Sequence, residues 1–386
     1  MEIVSSVWHV VSSFIVFLFG TVCVVGCSRY FHIRQDRALF LYLWHSIFCL
    51  LYVFYSLSNV SDSTMYFTHG AAEPEKFSLG TFAILWVVYI LRFFDLSYLG
   101  VFLVFNIFGS IGLLAFYASL NQVVRLSSLF LRWMVLVIVL LPSVSFWSSA
   151  LGKDSIAFMA VGLVLWATLN LENRKLLMVF AILAMLFVRP HIAGMLVISI
   201  GIAVFFQGNA SAIQRILVGS LATVVAAILI PFSLEYAGLG GVSNVGDVQA
   251  YIGERQSYNQ GGGGGIDISS MSLPMQLFTY LLRPLSFEAK SIPALAASIE
   301  NLVLLFLVLY YCFSKIKCKS IECAESLVGN RIFMWCYVGM SWIVLATTTA
   351  NLGISVRQKW MFAPVLIFLI ISFISSRKRV KKMSVN

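Results

Sequence analysis

Charge is what this chain has least of. Lys, Arg, Asp and Glu together make up 11% of its 386 residues, while 60% are hydrophobic. That balance excludes a water-soluble globule and indicates a polytopic membrane protein, all-α, with about 11 transmembrane helices. Little length is left over for a separate soluble domain, so residues 1–386 read as one polytopic membrane domain.

Other absences narrow the chemistry. The seven cysteines lie in apolar runs or in one basic loop, so no disulfide framework is indicated. Cys318 and Cys323 have neither a neighbouring His nor a second Cys pair, which leaves no zinc-type ligand set. No nucleotide-binding motif occurs, and no glycine-rich phosphate loop follows a strand; this favours a lipid-linked donor over a nucleotide sugar. No resident cofactor is implied, and a divalent cation is left open. The first apolar run, 7–27, is preceded by Glu2 and no basic residue. It therefore reads as a retained span, although Val24 to Cys27 resembles a lipoprotein cleavage site.

What charge there is falls unevenly. The net charge of +10 comes from short interhelical segments and a C-terminal run, Arg377 to Lys382. This is the pattern of cytoplasmic anchoring, not of nucleic-acid binding. Spans are expected near 7–27, 38–57, 98–118, 131–149, 155–169, 176–188, 192–207, 214–232, 297–313, 332–348 and 360–376. The apolar stretch Phe77–Leu91 is short and is expected to lie flat on the outer surface. With that choice, 17 of the 26 basic residues and four of the 16 acids face the cytoplasm. The N-terminus is then outside, and the C-terminal tail 377–386 inside.

The remaining charges gather at outer span ends and in outer loops 58–97 and 233–296. The first loop carries Asp62, Tyr66 and His69, and the second carries five consecutive glycines, 261–265, expected to form a mobile flap. Met275–Leu282 is a second expected surface helix, followed by Arg283 and Glu288. Between two spans lie Trp147, Lys153 and Asp154, and further basic spots are Arg189-Pro190-His191 and Arg357-Gln358-Lys359. Blander roles stand beside these: Trp147 and Trp360 as interfacial belt residues, and Lys153 and Asp154 neutralising each other with Asp154 as a helix cap. His69 reads as a solvated loop residue. Arg189 is the exception, a charge inside the apolar stretch Phe180–Ile202 that needs a partner or a polar cavity. His45, mid-span, is expected to be a neutral imidazole hydrogen-bonded within the bundle.

Asp62-x-x-x-Tyr66, FWSSALGKDS (146–155), RPHIAG (189–194), RPLSFEA (283–289) with SIEN (298–301), and RQKWMFAP (357–364) together resemble bacterial surface-polysaccharide assembly proteins. The likeness is to Wzy-type O-antigen polymerases and to C-type glycosyltransferases that use polyprenyl-linked sugars. It implies transfer of glycosyl units from an undecaprenyl-(pyro)phosphate-linked donor on the periplasmic face of the inner membrane. Asp62 matches the first-loop acid of the C-type enzymes, though the usual second acid is replaced by Ser63. Asp154 and Glu288 are the reserve bases. Lys153, Arg189, His191, Arg283, Arg357 and Lys359, with Tyr66 and Trp147, are the expected phosphate and substrate contacts. The partners implied are a polyprenyl-linked glycan, membrane lipid and other polysaccharide-assembly proteins. A single-sugar transferase and a lipid-linked glycan flippase are the rival readings.

Overall fold

A computed structural model describes residues 2–206, 264–289, 291–316 and 329–383, with isolated positions between 213 and 256. Among these the protein is helical, and the one β-bridge joins Gly265 to Asn351. The chain divides into two compact units, Met1–Arg189 and Pro190–Asn386.

The first unit contains α1 (Val7–Tyr30), α2 (Gln35–Ser58), α3 (Asp62–His69), α4 (Thr81–Phe93), α5 (Tyr98–Val124), α6 (Leu129–Val139), α7 (Pro142–Ser148), α8 (Lys153–Thr168) and α9 (Lys175–Val188). Helices α5 and α8 form its centre, and every residue of α8 from Asp154 to Thr168 is buried. They approach closely because both carry glycine at the crossing. A side chain at Gly162 would meet the Gly112 carbonyl at 2.6 Å.

Around this centre α1 is turned inside out by the standard of a soluble protein. It buries only Ser12, Ser13, Gly20, Val24 and Ser28, and exposes Val7, Phe14, Ile15, Phe19 and Val22. Small residues at the helix contact with large apolar groups outward is the pattern expected when the surrounding solvent is lipid.

A polar knot crosses the interior of this unit. Buried His45 places Nδ1 2.5 Å from Asn106 Oδ1 and Nε2 2.8 Å from Ser148 Oγ. Asn106 in turn donates to Ser46 Oγ at 2.9 Å. The expected hydrogen-bonded histidine is therefore present, and it pins α2, α5 and α7 together.

The second unit contains α10 (Pro190–Phe206), α11 (Leu273–Leu282), α12 (Ile292–Ile316), α13 (Arg331–Thr348), α14 (Leu352–Gln358) and α15 (Ala363–Met383). Helix α13 packs on α10, α11 and α15, and α12 packs on α15. The segment before α14 is held by main-chain pairing, Ile266 N–H to Ala350 O at 2.9 Å and Leu352 N–H to Gly264 O at 2.8 Å.

Among the described residues six helices are long and apolar enough to cross a membrane: Val7–Tyr30, Gln35–Ser58, Tyr98–Val124, Leu129–Ser148, Pro293–Ile316 and Arg331–Thr348. A seventh is a bent pair, Leu352–Met361 with Ala363–Ser376, broken at 63°. The expected spans at 131–149 and 360–376 thus carry a break, the first at Pro142, which has no N–H to continue α6. The expected span 192–207 falls on the helix described from Pro190 to Phe206, and 155–169 and 176–188 are helices of 16 and 14 residues. At 1.5 Å per residue the latter two reach about 24 and 21 Å, short of a hydrocarbon core of roughly 30 Å. Helix α4 has 13 residues, roughly 20 Å, also short of that thickness. The expected span 214–232, residues 261–263 of the glycine run, Cys318 and Cys323 lie outside the described residues, apart from isolated positions of the span.

Candidate functional site

In the first unit the loop between α7 and α8 brings several of the sequence candidates together. Helix α3 starts at Asp62 because Ser61 caps it, accepting the Thr64 N–H. One residue on, Ser63 donates to Leu151 O at 2.8 Å and draws α3 onto the loop. Tyr66, only 1% exposed, lies against Gly152. Gly152 has φ +149°, which favours glycine, and an added Cβ would sit a tight 3.2 Å from the tyrosine ring.

Lys153 and Asp154 then open α8, whose cap is Gly152, not Asp154 as the sequence suggests. Lys153 Nζ donates to Thr81 Oγ1 at 3.1 Å, at the start of α4. The entry to α4 is itself tied to α9 by Gly80 N–H to Phe187 O at 2.8 Å.

Helix α9 ends at Val188, because Pro190 pushes the preceding residue out of helical geometry. Arg189 takes φ −143° and ψ 74°, and its N–H still reaches Met185 O at 2.7 Å. Its guanidinium meets Asp154, Nη2 to Oδ1 2.8 Å, with both side chains about nine-tenths buried. Arg189 Nε is buried without a hydrogen-bond partner. The partner that a charge in this apolar stretch requires is therefore Asp154. An acid in the first turn of α8 also suits the positive end of the helix dipole.

Two further candidates in this unit stand differently. Asp62 is exposed, one turn before Tyr66 on the same helix. Trp147 meets Tyr52 and Phe146 edge to face, with ring centroids 5.6 and 5.2 Å away, an aromatic cluster that explains it as packing.

In the second unit Arg283 and Glu288 form a fork, Nε to Oε1 2.9 Å and Nη2 to Oε1 2.5 Å. Leu285 N–H adds a bond of 2.8 Å to Oε2. Arg283 holds the Glu288 carboxyl below its usual range, so this acid is a stable anion and a weak base. The fork closes a turn whose Pro284 carbonyl accepts from Asn301 at 3.1 Å.

Asn301 Oδ1 accepts from Lys359 Nζ at 2.5 Å. Lys359 is fully enclosed, not spread on a rim as the sequence suggests. The cause is the break after α14, which turns residues 359–361 inward and leaves the Met361 carbonyl to Tyr337 Oη. Arg357, in the last turn of α14, and His191, near the start of α10, are half-buried. Asn301 and Glu300, present in the sequence reading only as part of SIEN and given no role there, are buried polar residues, 0% and 1% exposed. The available signal was an acid and an amide inside the apolar run 297–313.

Among the described residues no group of three His, Cys, Asp or Glu side chains gathers as a metal site. Compared with protein-family models, curated proteins and solved structures, the chain matched nothing.

Proposed function

We propose that this chain is an integral-membrane enzyme of bacterial surface-polysaccharide assembly. It transfers or polymerises glycosyl units from an undecaprenyl-(pyro)phosphate-linked donor at the periplasmic face of the inner membrane. Its N-terminus is periplasmic and its C-terminus cytoplasmic, following the asymmetry of basic residues.

The observation that carries this reading is the state of Arg189. It is 8% exposed, paired with Asp154 through one nitrogen, and its Nε has no partner. A guanidinium offers five N–H groups in a fork that suits phosphate, and the exposed apolar helix faces suit a polyprenyl chain. Lys153 opens the same helix as Asp154, and Tyr66 lies against Gly152 immediately before it.

The reaction in this scheme is a displacement at the sugar. An acceptor hydroxyl oxygen bonds to the anomeric carbon, and the bond from that carbon to the phosphate oxygen breaks. The lipid (pyro)phosphate departs with the electron pair, and Arg189 and Lys153 stabilise its charge. The acceptor proton passes to Asp62, the exposed acid of α3. Asp154 serves as the counter-ion that fixes Arg189, a better use for a buried, paired carboxylate than proton abstraction.

One observation favours a second reading, a lipid-linked glycan flippase. The bent pair α14–α15 encloses Lys359, and α12 buries Glu300 and Asn301, which is the kind of polar group on a broken span that transporters use. Deleting the gene and analysing lipid-linked glycans separates the readings. Single repeat units on lipid A indicate loss of a polymerase, and truncated units loss of a single-sugar transferase. Accumulation of intact units on the cytoplasmic leaflet indicates loss of a flippase and would contradict the enzymatic proposal.

A further inference from the structure

We infer that the end of the second unit formed by the C-terminus of α12, the N-terminus of α13 and the distal part of α15 binds the phosphate of an anionic phospholipid. The centre of this surface is the Tyr311 ring, flanked by Phe373 at 5.2 Å and Trp335 at 6.5 Å. Two cations border it. Lys315, one turn beyond Tyr311, holds its ammonium 6.0 Å from the ring. Arg331, one turn before Trp335, donates from Nη1 to Ser372 Oγ on α15 at 2.8 Å.

Neither cation has a carboxylate partner among the described residues. Positive charge therefore reaches this platform from two helices, α12 and α13. The surroundings fit a lipid and not a free ion: Trp335 is 42% exposed, and Phe313, Ile316 and Ile332 next to the cations are exposed apolar side chains. Acyl chains would lie on those groups, while the glycerol phosphate meets Arg331 and Lys315. The aromatic platform places the ring faces at headgroup level, as interfacial Trp and Tyr do. This assignment is independent of the chemistry proposed for Arg189.

The test uses the full chain purified in mild detergent, with phosphatidylglycerol, phosphatidylcholine and inorganic phosphate offered separately in native mass spectrometry. The wild type should retain phosphatidylglycerol in preference to phosphatidylcholine, and inorganic phosphate should not displace it. Lys315→Gln with Arg331→Gln should lower that preference, by roughly fivefold per cation removed. Arg331→Lys should restore part of it. Dibrominated phosphatidylglycerol should quench a fluorescence component that is missing in Trp335→Phe. A double variant that melts like wild type and keeps the full preference would overturn the assignment. So would equal retention of phosphatidylcholine, or quenching that is unchanged in Trp335→Phe.

Discussion

Arg189 and Asp154, 35 residues apart in sequence, meet at 2.8 Å where α9 ends and α8 begins. Both are buried, so each neutralises a charge that the other could not leave unpaired. Asp154→Ala should therefore destabilise the fold by about 3–5 kcal/mol, the usual cost of orphaning one member of a buried pair. Arg189→Met with Asp154→Leu should recover most of that stability and none of the function. Melting temperatures in detergent, measured beside glycan complementation, check both statements.

Asp62 is exposed at the start of α3. Asp62→Asn should leave the melting temperature within a degree or two of wild type and abolish glycan product. Normal product from that variant would remove it as the base.

The fork between Arg283 and Glu288 gives a pH dependence of defined sign. Because Arg283 lowers the Glu288 pKa, the stabilisation is present above the ordinary carboxyl value of 4.5 and is lost as pH falls through the lower folded value. Glu288→Gln should melt below wild type at pH 7, and the gap should shrink at pH 3.5. A constant gap would mean that the charge on Glu288 contributes nothing.

His45 is the shared partner of Asn106 and Ser148. His45→Ala should cost about 3 kcal/mol or more, since it opens a cavity and removes a hydrogen bond from each of two buried polar side chains. Thermal unfolding of the purified variant measures this directly.

The sequence carried the helices well and the pairings poorly, and the reasons are local. Arg189 and Asp154 were both visible as unusual charges, but adjacency suggested that Asp154 would neutralise Lys153. At a helix start, consecutive side chains point about 100° apart, so Lys153 turns to Thr81 while Asp154 turns to Arg189. Lys359 looked like a companion of Arg357 at a rim, and the break after Gln358 carries it inside. Asn301 gave no charge signal at all, yet it bridges Lys359 and the Pro284 carbonyl. His45 was legible because a lone imidazole in an apolar run can be buried only with hydrogen-bond partners.

The most direct test of the central claim is binding of the lipid phosphate itself. Purified protein in nanodiscs would be offered undecaprenyl pyrophosphate or undecaprenol, which share a chain and differ in the head group. Retention of the pyrophosphate at least tenfold over the alcohol, lost in the Arg189→Met, Asp154→Leu variant, is the predicted result. Equal retention of both lipids, or a preference that survives in that variant, would contradict the account.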